Sequence, residues 1–238
     1  MKKSKKRGII KLENVHKHYR MGDEIVKAVN GIDIEINQGD FVAIMGPSGS
    51  GKSTTMNLIG SLDTPTSGKI FLDNKNIAEL SESDLAQIRG KKIGFIFQQF
   101  NLIPNLTAKE NIMMPMLFQD FAQEQREKRA EELLKMVDIA DRKDHYPNQL
   151  SGGQQQRVAI ARSLSNNPEV ILADEPTGNL DTKTGENVLT FLNKLHRKGK
   201  TIIMVTHDPK LAKEHSEKVY WLVDGKIKKI TKEKRKRI

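Results

Sequence analysis

The stretch Phe41-Val-Ala-Ile-Met45-Gly46-Pro-Ser-Gly-Ser-Gly-Lys-Ser53 decides how the rest of the chain is read. Its first five residues are an unbroken apolar run, the form of a short strand buried on both faces of an α/β sheet. The next eight match Gly-x-x-x-x-Gly-Lys-Ser, and a helical pattern, Ser53–Leu62, follows at once. Glycines allow consecutive backbone amides to curl round an anion, and a helix start adds the positive end of its dipole. Lys52 is then placed to reach the β- and γ-phosphates of a nucleotide, and the Ser53 hydroxyl to bind Mg²⁺. Strand, loop and helix in this order predict a P-loop nucleotide-binding core.

Outward from that point the same alternation continues. Val170–Asp174 and Ile202–Thr206 are further apolar or β-branched runs, each leading into a loop rather than a hairpin turn. Residues 9–19 and 32–36 alternate apolar with polar, which predicts half-exposed antiparallel strands near the N-terminus. From about 107 to 165 the pattern is helical. Thr107-Ala-Lys-Glu110 and Ser151-Gly-Gly-Gln154 are capping boxes, and each predicts a helix start. Ala130, Leu133, Leu134 and Val137 recur at helical spacing, with Glu and Lys on the opposite face. There is no internal repeat and no low-complexity segment. The expected fold is α/β: a P-loop NTPase (RecA-like) core with an N-terminal antiparallel β subdomain, over residues 9–100 and 166–225, and an inserted α-helical subdomain at about 101–165.

The composition fits a folded domain with a real core: 238 residues, 37% hydrophobic and 29% charged. Its longest apolar runs last about five residues against the roughly 20 that a spanning helix needs, so no transmembrane segment is expected. No apolar stretch follows the N-terminal bases, so no secretory leader is expected either. Without cysteine the chain has no disulfide, thiolate metal site or cysteine nucleophile. The expected location is cytoplasmic. The net charge of +10 belongs to the ends. Residues 1–8 and 226–238 together carry thirteen bases against one acid, which leaves the body between them slightly acidic. Two basic tails on a near-neutral body suit an anionic membrane surface, an RNA or simple solvation.

Other residues supply candidate chemistry. The phosphate loop by itself does not separate ATPases from GTPases or small-molecule kinases. The guanine signature Asn-Lys-x-Asp is missing, because Asn74-Lys75-Asn76-Ile77 lacks the aspartate. Tyr19 is a candidate for stacking on adenine. Val170-Ile-Leu-Ala-Asp174 releases two acids at the end of an apolar strand, and such acids need a cation or polar partner there. Asp174 fits an Mg²⁺ position, and Glu175 a residue that orients or deprotonates the attacking water. Gln98 and His207 also follow strand-like runs, at the strand ends where open α/β sheets bind ligands. Leu150-Ser-Gly-Gly-Gln154 sets two glycines in a helix start, where they cost helix stability. In return they leave amides uncovered beside the Ser151 hydroxyl, a second anion site. Two such starts and one pair of hydrolytic carboxylates suggest that the second start serves a nucleotide held mainly by another copy. His16-x-His18 is explained by alternation on a strand rather than by a metal.

The phosphate loop, Gln98, Leu-Ser-Gly-Gly-Gln at 150–154, Ala173-Asp-Glu-Pro-Thr-Gly-Asn-Leu-Asp181 and Thr206-His-Asp208, in this order and spacing, resemble the ATP-binding subunit of an ABC transporter over about residues 9–225. Ile44–Ser53, Phe97-Gln-Gln-Phe-Asn-Leu-Ile-Pro104 and Asp174–Asp181 most resemble the lipoprotein-release, macrolide-export and cell-division branch. The resemblance implies a head-to-tail pair with two ATP molecules in its interface. It implies that Tyr19 stacks on adenine and that Gly46, Pro47, Ser48, Gly49, Ser50, Gly51, Lys52, Ser53 and Thr54 wrap the phosphates. Ser53 and Gln98 then hold Mg²⁺, with Asp174 supporting it through water. Glu175 is the catalytic base and His207 contacts the γ-phosphate. Ser151, Gly152, Gly153 and Gln154 of the partner complete the site, while Asn179–Asp181 link the two sites.

The resemblance also implies that Gln99–Phe118 docks a transmembrane permease subunit, with Phe100, Leu102, Ile103, Met113, Met114 and Met116 divided between an internal core and an apolar groove. The basic C-terminal stretch departs from the family pattern and is expected to rest on anionic lipid. The expected function is ATP-dependent dimerisation that drives export or extraction by a membrane partner at the cytoplasmic face. The alternative is a cell-division-type regulator that moves no cargo. A soluble nucleic-acid or translation factor is disfavoured by the single phosphate loop and the non-basic body, so no nucleic-acid partner is expected.

Overall fold

The computed structural model describes residues 7–233, and packing divides the chain into two compact units. One holds the chain up to Ala86 and again from Leu195; the other runs from Gln87 to Lys194. The chain leaves the first unit within α2 (Glu82–Lys92) and returns to it within α6 (Thr182–Arg197).

In the first unit, β1 (Gly8–Met21), β2 (Glu24–Asn37), β4 (Ser67–Leu72) and β5 (Lys75–Asn76) form an antiparallel sheet in the order β2-β1-β4-β5. The period-2 pattern read from the sequence puts Ile10, Leu12, Ile32, Ile34 and Ile36 inside and Lys11, Asp33 and Glu35 outside. Burying each Ile or Leu contributes about 2 kcal/mol. The hairpin extends beyond the stretch that alternates. Met21 and Ile25 near its tip are exposed, and a segment with no buried face carries no periodic signal.

A second set of strands carries the phosphate loop. β3 (Phe41–Met45) lies between β8 (Thr201–Thr206) and β9 (Lys218–Val223) and is parallel to both. Every residue of β3 and β8 is buried, as the unbroken apolar runs require. Helices α1 (Lys52–Ile59) and α7 (Pro209–His215) each follow one of these strands.

The expected basic tail from residue 226 needs correction. Lys226–Lys232 form strand β10, antiparallel to β9. Asp224 and Gly225 make the two-residue turn between them, both with left-handed φ (48° and 69°), which suits a hairpin. The lysines are exposed while Ile227 is half-buried, so charge obscures a strand that its neighbour specifies. The remaining tail positions, 1–6 and 234–238, lie outside the described residues.

In the second unit, β6 (Ile93–Ile96) and β7 (Val170–Asp174) pair in parallel, from Ile93 opposite Val170 to Ile96 opposite Ala173. Helices α3 (Ala108–Leu117), α4 (Gln123–Met136) and α5 (Gly152–Ser163) fill the segment between them in sequence. Both capping boxes form as read, at Thr107 and at Ser151. Ala130, Leu133, Leu134 and Val137 are buried. The helices expected at 101–165 thus belong to a larger unit that also contains β6 and β7. Periodicity locates helices but does not say which strands pack with them. Among the described residues no helix is long and apolar enough to cross a membrane.

Candidate functional site

The phosphate loop joins β3 to α1 and is shaped by two glycines. At Gly46 a Cβ would lie 2.1 Å from the Leu222 carbonyl oxygen. At Gly51 φ is +95° and a Cβ would lie 2.2 Å from the Ala28 carbonyl oxygen. Neither position can carry a side chain without moving backbone. Gly51 is also the N-cap of α1 and offers no side chain, so the first-turn amides of α1 have no cap of their own. The Lys52 ammonium folds back to donate to the Pro47 carbonyl at 2.7 Å. The Ser50 hydroxyl is buried, 2% exposed, with no hydrogen-bond partner. Uncapped amides, a nearby cation and an orphaned hydroxyl make a loop whose polar groups fit a phosphate chain.

Tyr19 stands near the end of β1 and is 37% exposed. Its hydroxyl donates to Asp63 at 2.7 Å. Burial and the Asp63 carboxylate together hold the phenol above its ordinary range, so it stays a neutral donor. Burial alone would raise the Asp63 carboxyl, but hydrogen bonds from Lys17, Tyr19 and the Thr64 amide outweigh that and hold it below the usual carboxylate range. His207 is exposed at the end of β8. The next residue, Asp208, uses its carboxylate to cap α7, accepting from the Lys210 and Leu211 amides. The first unit therefore holds the phosphate loop, Tyr19 and His207.

The second unit holds the remaining candidates. Glu175 follows β7 with φ +43°, a left-handed backbone that costs a non-glycine residue about 1–2 kcal/mol. Such strain persists where the surroundings impose it, as functional loops do. Here the Gly178 amide donates to the Glu175 carbonyl at 2.9 Å, and the buried Gln156 side chain donates to the Pro176 carbonyl at 2.8 Å. Asn179 donates to the Gln98 carbonyl at 2.9 Å, which ties the end of β6 to the turn after β7. Gln98, Asp174, Glu175 and Asn179 thus gather at the ends of a parallel strand pair. The Ser53 hydroxyl, Gln98 amide and Asp174 carboxylate are oxygen donors of the kind that suits Mg²⁺.

Three expected ligands, Asp181, Ser151 and Gln154, already have partners in the fold. Asp181 accepts from both the amide (3.0 Å) and the hydroxyl (2.6 Å) of Thr184, capping α6. Those bonds hold its carboxyl below the usual range. The Ser151 hydroxyl accepts from the Gln154 amide at 3.3 Å, and the Gln154 side chain accepts from the Ser151 amide at 2.9 Å. The start of α5 is therefore capped by its own residues, while Gly152 and Gly153 add no side chains of their own beside the Phe100 ring and the Thr184 methyl.

Residues 29–178, more than half of the chain, match the ABC transporter family. The chain belongs to this family. It is an ATP-binding subunit and an ATPase of the ABC transporters. It is 53% identical over 226 residues to the ABC transporter ATP-binding protein MJ0796 of Methanocaldococcus jannaschii, covering 93% of this chain and 96% of that one. It is 47% identical over 219 residues to the macrolide export ATP-binding/permease protein MacB of Brucella melitensis, covering 92% of this chain and 34% of that protein. The solved dimeric, post-hydrolysis structure of MJ0796 bound to ADP and Pi superposes with a TM-score of 0.89 at 51% identity, over 95% of this chain and 99% of that one.

Within this ABC ATPase several supporting residues carry no local sequence signal. Asn111 is fully buried in α3; it accepts from the Ile103 amide and donates to the Ile103, Leu106 and Thr107 carbonyls. Arg162 of α5 donates to the Phe100 carbonyl at 2.9 Å and to that of Asn101. Burial lowers its guanidinium from the usual range. Together they pin the segment 99–107. Of the six apolar residues expected to divide there, Met116 is buried, Ile103 is exposed, and Phe100, Leu102, Met113 and Met114 are half-buried. Asn111 was visible only as one polar residue within an apolar stretch.

Proposed function

We propose that two copies of this chain clasp two ATP molecules between them, head to tail, and that clasping drives a membrane-embedded partner. In each site one copy supplies the phosphate loop and the hydrolytic carboxylates, and the other supplies Ser151, Gly152, Gly153 and Gln154. The observation that carries this reading is the mismatch of two glycine-bearing helix starts with a single Asp174–Glu175 pair. The solved dimers of MJ0796 support it.

Tyr19 stacks on the adenine, and Gly46–Thr54 surround the phosphates, with Lys52 on the β- and γ-groups. Ser53 and Gln98 hold Mg²⁺ directly and Asp174 through water. When bound, the ion neutralises charge on the phosphate oxygens. Glu175 accepts the proton of the attacking water, and His207 donates to the γ-phosphate. Asn179–Asp181 connect the two sites through the cap of α6.

Gln99–Phe118 receives a cytoplasmic helix of a permease. The match to one third of an ATP-binding/permease protein supports a partner of that kind. The chain then works at the cytoplasmic face of the membrane, with the lysines of β10 and the residues after it near anionic lipid. The test is Glu175→Gln with ATP on a size-exclusion column. The expected result is a nucleotide-trapped dimer that does not hydrolyse; a persistent monomer would sink the clasp.

A further inference from the structure

We propose that Asp63 and Lys17 are positioning residues that hold the Tyr19 ring as a preset platform for the nucleotide base. The inference rests on the reading of Tyr19 as the adenine-stacking residue, and adds what keeps that ring in place. Asp63 lies in the loop between α1 and β4, 44 residues from Tyr19 in sequence. One of its oxygens accepts from the Tyr19 hydroxyl at 2.7 Å. The other accepts from the Lys17 ammonium at 2.6 Å and from the Thr64 amide at 2.7 Å. Lys17 also donates to the Thr64 carbonyl at 2.9 Å, so the loop is gripped at two points.

The same ammonium sits over the Tyr19 ring, 5.0 Å from its centroid. A cation there is drawn to the negative face of the ring and occupies it, which leaves a flat base only the opposite face. A half-exposed tyrosine with no anchor would lose rotamer freedom when a base stacks on it, and an anchored one has already lost it. Asp63 contacts neither base nor phosphate in this scheme; it acts through the ring.

The test is calorimetric titration of MgATP and of inorganic tripolyphosphate into the full chain and its variants. Asp63→Ala is expected to weaken ATP about fivefold, the worth of a lost hydrogen bond, and to leave tripolyphosphate unchanged because it has no base. Asp63→Asn keeps an acceptor for the phenol and is expected to recover most of the loss. In a Tyr19→Ala background Asp63→Ala is expected to do nothing further. Equal weakening of both ligands would mean that Asp63 merely supports the phosphate loop, and would overturn the proposal. So would additive losses, or full ATP affinity in Asp63→Ala while Tyr19→Ala is weakened. If Tyr19→Ala itself leaves ATP binding unchanged, the base platform and this proposal fall together.

Discussion

Helices α1 and α5 both carry glycine at their starts, yet those starts are built in opposite ways. α1 begins at Gly51, which is left-handed and contributes no side chain, so its first-turn amides have no cap of their own. α5 begins at Ser151 with a complete capping box. An uncapped start forgoes about 1 kcal/mol of helix stability, which an anion can restore. A capped start is stable before any ligand arrives. On the proposed function, the difference would separate a loop that encloses a nucleotide from an edge presented, already folded, to one held by the other copy.

Three changes would break or sharpen that contrast. The largest effect belongs to Lys52→Ala, which leaves the uncapped amides without their nearby cation. ATP binding is expected to fall about a hundredfold, the scale of a charge-assisted hydrogen bond lost to a phosphate. Calorimetry on the variant checks this, and near-native affinity would mean that the loop geometry alone holds the phosphates.

A smaller effect probes α5. A Cβ at Gly153 would lie 2.8 Å from the Thr184 methyl carbon. That methyl cannot swing away freely, because the Thr184 hydroxyl is held by Asp181. Gly153→Ala is therefore expected to lower stability by about 1–2 kcal/mol by overpacking. Thr184→Ser, which removes the methyl and keeps the hydroxyl, is expected to restore it in the double variant. Thermal unfolding of the three proteins decides the matter; an undamaged single variant would show that α5 and α6 have slack between them.

The smallest effect is the response of the caps to acid. The Glu110 carboxyl is held low by the Thr107 amide and hydroxyl, and that of Asp181 by the Thr184 hydroxyl and amide. A lowered pKa in the folded state means that the contribution is complete above the ordinary values of 4.5 and 3.8 and is lost as the pH falls through the lower folded values. The unfolding midpoint is expected to drop below about pH 4.5, and Thr107→Ala to flatten that drop. An unchanged slope in this variant would count against Glu110 as a source. Capping at α1 involves no carboxylate and is expected to add nothing to the slope.

Much of this molecule is legible from its sequence because the decisive signals are local. The buried run Phe41–Met45, the glycine loop and the helix after it lie within some twenty residues, and each depends on backbone conformation or on neighbours three or four positions away. The capping boxes at Thr107 and Ser151 are local for the same reason. The acids at the end of β7 were visible as an apolar strand ending in charge. Strand β10 was less visible, since lysines on an exposed edge conceal the alternation and only the Asp224-Gly225 turn announces a hairpin.

What the amino-acid order determined alone is the succession of motifs, and with it the phosphate loop, the glycine-bearing helix starts and the candidate acids. Tertiary structure decided which distant groups meet. Gly46 must be glycine because of a carbonyl at Leu222, and Gly51 because of one at Ala28. Asp63 acquires its meaning from Tyr19 and Lys17, more than forty residues away. The physical reason is that conformational preference is a property of a residue and its near neighbours. A contact across the fold exists only after the chain has closed its loops and packed its core, and a single sequence leaves no trace of that pairing.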